Sequence, residues 1–188
     1  MFVRSWMSSP AVVLPAATPV SDALEYMAIR KIRRIPVIQD GAFAGIVTRS
    51  DLQAIAARHD PSGRTNRIVL ADVMKSPVQT VAPDDTLEHA STVMLDNEIS
   101  GLPVVDGTRL LGMITESDVF EAFNEIMGTS ENGARIAMTI PADTQLLDSL
   151  RRRLKGLSIQ SLATYRNQET GAWEVVVKVC GRRPVEVA

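Results

Sequence analysis

The heptapeptide Gly45-Ile46-Val47-Thr48-Arg49-Ser50-Asp51 returns 67 positions later as Gly112-Met113-Ile114-Thr115-Glu116-Ser117-Asp118. The same offset carries Met7 onto Met74, Ala23 onto Ala90, Met27 onto Met94 and Pro36-Val37 onto Pro103-Val104. One constant period over so many positions leaves little room for chance, so the chain is built on a repeat.

Each heptapeptide is an apolar strand that runs into a helix, with Thr-x-x-Asp at the junction. Thr48 or Thr115 as N-cap can accept a hydrogen bond from the N3 backbone N–H, and Asp51 or Asp118 at N3 can return it while facing the positive end of the helix dipole. The same geometry permits function, because free N–H groups at a helix start attract anions and a nearby carboxylate can hold sugar hydroxyls. Capping and binding can coexist.

The pattern Met7, Ala23, Met27, Ile35-Pro36-Val37, Gly45-Ile46-Val47-Thr48-x-x-Asp51, repeated as Met74, Ala90, Met94, Leu102-Pro103-Val104-Val105-Asp106, Gly112-x-x-Thr115-x-x-Asp118, resembles a tandem pair of cystathionine beta-synthase (CBS) domains, the Bateman module. It covers about residues 3 to 124. The resemblance implies two βαββα-type repeats related by a pseudo-twofold axis, within an α/β (α+β) fold. It also implies clefts that bind adenine nucleotides, with the motif aspartate on ribose hydroxyls and the threonine near phosphate. Carried onto this chain, the resemblance makes Thr48, Asp51, Arg33, Arg34, Ile35, Pro36, Arg49, Thr115, Asp118, Leu102 and Pro103 the nucleotide-binding candidates.

The copies differ in charge. The first has Arg30-Lys31-Ile32-Arg33-Arg34 before its Ile-Pro and Arg49 in its motif; the second has Asn97-Glu98-Ile99-Ser100-Gly101 and Glu116. Basic residues suit a helix C-terminus and cover apolar surface. Lys31-Ile32-Arg33-Arg34-Ile35-Pro36-Val37 also resembles the segment that brings cations to phosphates in nucleotide-sensing CBS proteins such as the gamma subunit of the AMP-activated kinase, with Arg33 where that segment has histidine. Arginine suits phosphate because its planar fork binds two oxygens at once. If each cleft draws on its own repeat, the first is expected to bind nucleotide more tightly than the second.

Composition sets outer limits. The 188 residues are 45% hydrophobic with a formal charge of −2, which offers neither nucleic acid nor an anionic membrane a bulk attraction. The single cysteine, Cys180, excludes an intrachain disulfide and any multi-cysteine metal site within one chain, and a cytoplasmic location is the simplest reading. The apolar stretch Ala11-Val12-Val13-Leu14 and Ala16-Ala17 is short and broken up by Pro10, Pro15 and Pro19, so it is expected to belong to the fold and not to a secretory signal. No apolar stretch approaches the length of a membrane span.

In chain order, Thr18-Pro19 reads as N-cap and first turn of a helix with Val20, Ala23, Leu24, Met27 and Ala28 on its buried stripe. The second copy opens the same helix with an Asp85 cap and Glu88 at N3, and Leu87, Ala90, Met94 and Leu95 form its stripe. Hairpins follow, with turns at Asp40-Gly41 and Asp106-Gly107. Pro36 and Pro103 cannot donate to a ladder and are expected at a strand start or edge, with nearby carbonyls free to face a cleft. Trp6 and Met7 are expected to turn inward. Leu52, Ile55 and Ala56 should line the buried side of the helix after the first motif, and Val119, Phe120 and Phe123 that of the second. The expected segments are repeat one at 1–58, a linker at 59–68, repeat two at 69–124, a connector at 125–132 and a further unit at 133–188.

In that last unit Ala134 to Ile140 alternates like a strand, Ala142 to Lys155 has helical spacing with Gly156 at C′, and two strands follow near Ser158 to Tyr165 and Trp173 to Val179. This βαββ order resembles the ACT domain that ends bacterial proteins of the acetoin-utilisation protein B type. The turn Pro141-Ala142-Asp143-Thr144-Gln145 lacks the glycine that this family often carries for amino-acid binding. Arg151-Arg152-Arg153 reads as a solvated helix end. An incomplete sheet with an open edge is expected to pair with another chain.

No Cys/His or Ser/His/Asp set, His-x-x-x-His pair or Walker loop supports an enzyme, and no cofactor is implied. The expected function is a non-catalytic, cytoplasmic regulatory module, a homodimer, that binds AMP, ADP or ATP and signals through its dimer or a protein partner. The alternatives are a ligand-free dimerisation module and amino-acid sensing through the C-terminal unit.

Overall fold

The computed structural model describes residues 1–59, 68–129, 133–142 and 145–180. The chain forms two compact units, Met1–Val119 and Phe120–Ala188. Most of the expected linker at 59–68, Asp143 and Thr144 of the Pro141 turn, and everything after Cys180 lie outside the described residues.

The first copy contains a 3-10 turn (Val3–Ser5), β1 (Leu14–Pro15), α1 (Val20–Arg30), β2 (Arg34–Gln39), β3 (Ala42–Thr48) and α2 (Arg49–His59). The second contains a 3-10 turn (Leu70–Asp72), α3 (Leu87–Asp96), β4 (Gly101–Asp106), β5 (Arg109–Thr115) and α4 (Glu116–Ile126). Register repeats with the elements: Arg34 pairs Thr48 in one hairpin and Gly101 pairs Thr115 in the other. The first hairpin turns through Asp40-Gly41, both at positive φ (50° and 80°), as a two-residue loop of the primed type requires. The second turns through Gly107-Thr108, one residue beyond the expected Asp106-Gly107, because Asp106 still pairs with Arg109.

The copies are joined by exchange. Ile46 bridges Lys75 and Ser8 bridges Met113, each pair displaced from the other by 67 with the roles swapped. The same reciprocity relates Pro19–Val69 to Phe2–Thr86. It also relates Leu70 N–H donating to the Thr18 carbonyl (2.9 Å) to Val3 N–H donating to the Asp85 carbonyl (2.9 Å). Reciprocal pairing of this kind is the mark of a twofold relation, here within one chain. The lead-in of each copy therefore seals the other copy. Leu70 is fully buried in one cluster with Val20, Ala23, Met27, Ile35, Val37, Val47 and Leu52 of the first copy. Trp6 and Met7 are only half-buried, and Val3 is the buried anchor of its turn.

Several expected details change. The N-cap of α1 is Pro19 and not Thr18, with no side-chain bond, while α3 is capped by Thr86, whose hydroxyl accepts from His89 N–H at 3.1 Å. Asp85 instead accepts from Ala82 N–H at 2.7 Å, within the turn before the helix. Pro36 lies inside β2, just short of the Val37 and Ile38 that pair with β1, and the Pro103 carbonyl accepts from Val81 N–H (3.1 Å), so it is engaged in the sheet and does not face a cleft. The buried stripes are narrower than their apolar patterns: Ala28 is exposed, Leu95 is 76% exposed, and on α4 Phe120 and Phe123 are 65% and 56% exposed while Ala122 is buried. The repeat accounts for Phe120, which stands where α2 carries the exposed Gln53, while Ile55 and Ala56 of α2 are themselves only half-buried.

The second unit contains β6 (Ala134–Ile140), α5 (Leu146–Arg153), β7 (Ser158–Arg166) and β8 (Trp173–Cys180), an antiparallel sheet in the order β6-β8-β7. Ile140, Leu150, Leu154, Val175, Val177 and Val179 form its core. Helix α5 opens at Leu146 and is capped at Leu154, so it is shorter than its pattern, and the left-handed Gly156 (φ 81°), expected at C′, falls one position beyond it. Arg151 to Arg153 are exposed in its last turn.

Candidate functional site

The strand-to-helix junctions of the repeat carry the polar chemistry of the first unit. In the first, the Thr48 hydroxyl donates to Asp51 Oδ2 (2.7 Å) and accepts from Asp51 N–H (3.3 Å). In the second, Asp118 Oδ2 accepts from both the backbone N–H and the hydroxyl of Thr115, each at 2.7 Å. The expected capping box is thus divided, with the threonine serving the helix in one copy and the aspartate in the other.

Around the first junction lies a cleft of about 670 Å³, a size that accommodates a small organic ligand. Thr48, Arg49 and Asp51 line it from the junction, Arg33 from just before β2 and Arg34 from its first position. A further part of the lining belongs to the second copy: Lys75 and Pro77 to Gln79 from its lead-in, Asn97 to Ser100 from the turn before β4, and Gly101 at the start of β4. This corrects the expectation that a cleft draws on its own repeat. Twofold exchange carries the lead-in of one copy across the motif of the other, and Glu98 of the second copy shares the cleft of the first motif. Lys31 and Glu98, equivalent in the repeat, both adopt left-handed backbone (φ 56° and 53°) where helix gives way to strand.

Arg34 crosses the pseudo-axis. Its guanidinium donates to both the carbonyl and the hydroxyl of Ser100. Its counterpart in the repeat is Gly101, where a Cβ would stand 2.6 Å from Arg34 Nη1. Burial, and then the neighbouring Arg33, lower the Arg34 pKa, while Glu116 works in the opposite direction; an arginine keeps its charge through any such change. Lys75 Nζ lies 3.0 Å from Asp51 Oδ2. Burial raises the Asp51 pKa, but the Thr48 hydroxyl and the Lys75 ammonium outweigh it and hold the carboxylate below the usual range. Among the described residues, neither Arg33 nor Arg49 forms an ion pair.

Of the residues singled out from sequence, Arg33, Arg34, Thr48, Arg49 and Asp51 share this cleft. Thr115 and Asp118 hold the second junction. Ile35 and Leu102 are fully buried core residues, and Pro36 and Pro103 are buried beside them in β2 and β4, outside the lining of this cleft. Lys75, Ser100 and Gly101 were not singled out. The offset did hold the signal, because Lys75 occupies the position of Ser8 and Gly101 that of Arg34, the kind of substitution that breaks a repeat at its axis.

Residues 3–57 and 70–125 match the model of the CBS domain. The chain belongs to the CBS-domain family. This CBS pair is similar to protein MJ1225 of Methanocaldococcus jannaschii, 29% identical over 130 residues that make up 64% of this chain and 46% of that protein, so the chain spans less than half of this relative. A solved acetoin utilization protein, AcuB of Vibrio cholerae, is 32% identical with a TM-score of 0.60, covering 70% of this chain and 98% of its own. CBSX2, solved in complex with AMP, is 29% identical with a TM-score of 0.59, covering 66% of this chain and 97% of its own. Among the described residues no helix is long and apolar enough to cross a membrane.

Proposed function

We propose that the first cleft of this CBS pair binds an adenine nucleotide and that the chain is a regulatory module without chemistry of its own, which passes its ligand state to a second copy or to a protein partner. The observation that carries this reading is the gathering of Arg33, Arg34, Arg49 and Lys75 around the Thr48–Asp51 junction in one cleft, with Ile46, Pro77, Val78 and Ile99 as apolar surface for a base. The guanidinium groups suit phosphate and the Asp51 carboxylate suits the ribose diol. The AMP held by CBSX2 supports the same ligand class. The βαββ order of β6, α5, β7 and β8 supports reading the C-terminal unit as an ACT-like attachment to this sensor.

Calorimetric titration with AMP, ADP and ATP tests the reading. Asp51→Ala combined with Arg34→Ala is expected to weaken nucleotide binding by tenfold or more, about 1.4 kcal/mol per decade, and Asp118→Ala by less. No binding of any of the three nucleotides at millimolar concentration would end it, and a loss confined to Asp118→Ala would move the site to the second junction.

A further inference from the structure

Lys75 and Ser8 are equivalent in the repeat and share one backbone duty. Lys75 exchanges two hydrogen bonds with Ile46 (3.1 and 2.9 Å), as Ser8 does with Met113 (2.9 and 3.0 Å). That duty needs no side chain, yet Lys75 extends its ammonium to Asp51 Oδ2. Among the described residues no cation forms an ion pair with Asp118 at the matching junction.

The consequence lies in which carboxylate oxygen is left open. Asp51 Oδ2 already accepts from the Thr48 hydroxyl at 2.7 Å and from Lys75 Nζ at 3.0 Å. A vicinal diol grips a carboxylate through both oxygens, one hydroxyl to each, and two donors fill the acceptor capacity of one oxygen in its plane. While Lys75 stays in place, Asp51 can offer a ribose only Oδ1. Lys75 is free to leave, since its side chain is 66% exposed on a flexible four-carbon stem and lines the same cleft as Arg33, Arg34 and Arg49. Magnitudes decide where it goes: an exposed ion pair shifts an equilibrium by roughly two- to fivefold, whereas a charge-assisted bond to phosphate in a partly desolvated cleft shifts it by about tenfold or more.

We infer that Lys75 is the residue by which this cleft, read as the nucleotide site proposed above, separates phosphorylated nucleotides from nucleosides: a bound phosphate draws the ammonium off Asp51 and so opens both carboxylate oxygens to the ribose. A nucleoside brings nothing to attract the lysine and competes with it for Asp51. The lysine thus penalises one ligand and assists the other through a single movement.

The experiment compares adenosine and ATP on the full chain and on Lys75→Met by calorimetry, with Lys75→Arg as the conservative control. Lys75→Met is expected to bind adenosine roughly two- to fivefold more tightly and ATP about tenfold more weakly. Lys75→Arg should keep the original order. Because the sheet contacts of Lys75 come from its backbone, melting temperatures should stay close to that of the parent chain. An ATP-to-adenosine affinity ratio unchanged in Lys75→Met overturns the inference while leaving the nucleotide site standing, and so does an equal loss for both ligands. If neither ligand binds the parent chain, the site itself is refuted and the inference falls with it.

Discussion

Position 34 and its repeat counterpart 101 show how one substitution breaks a duplicated sequence usefully. Two arginines at the pseudo-axis would compete for the same space; with glycine at 101, Arg34 lies across Ser100 and joins the copies. A methyl group at Gly101 would meet Arg34 Nη1 at 2.6 Å and the Ile114 carbonyl at 3.2 Å. The first obstacle is the tip of a flexible side chain and can move; the second is backbone. Gly101→Ala is therefore expected to destabilise the first unit by only about 1 kcal/mol while displacing Arg34 and weakening ATP several-fold. Denaturant unfolding and calorimetry on the same variant check both halves, and a large stability loss with unchanged ATP affinity would show that Arg34 serves structure alone. The charge of Arg34 was legible in the sequence, but its partner Ser100, 66 residues away, was not.

Among the elements, the existence of both hairpins followed from local pattern, because alternating apolar residues act within a few positions; Asp-Gly located the turn of the first hairpin, whereas the second turns one residue later. Helix stripes were less legible. Leu95 and Phe123 fit the helical period but stand exposed, since a stripe shows which residues share a face and not how much of that face a neighbour covers. The lead-ins were the least legible, because their partners lie in the other copy. Leu70, fully buried in the core of the first copy, is the direct test of that exchange. Leu70→Ala should cost about 3 kcal/mol, the usual range for a buried leucine whose site cannot collapse. A loss under about 1 kcal/mol in urea unfolding would mean that the exchanged lead-in does not hold in solution.

For the whole molecule, the exchange makes one copy incomplete by itself. Residues 1–67 lack Leu70, Val73 and Met74, which complete their core, and keep Val3, whose carrier turn bonds to Asp85 and Pro83 of the missing copy. The fragment is expected not to unfold cooperatively as a monomer, and at high concentration to pair with itself, because the contact it has lost is self-complementary. Circular dichroism melting and light scattering decide this, and a cooperative monomer would show that the lead-in is dispensable. The sequence by itself determined the duplication, the order helix, hairpin, helix in each copy, and the threonine–aspartate pair at each junction, since all of these arise from period and from contacts within a few residues. Tertiary structure alone decided that the cleft is shared, that Lys75 reaches Asp51, and that the basic segment of one copy lines the same cleft as Glu98 of the other. The reason is the twofold: a repeat read along the chain shows two equal halves, and only folding brings the lead-in of each across the motif of the other.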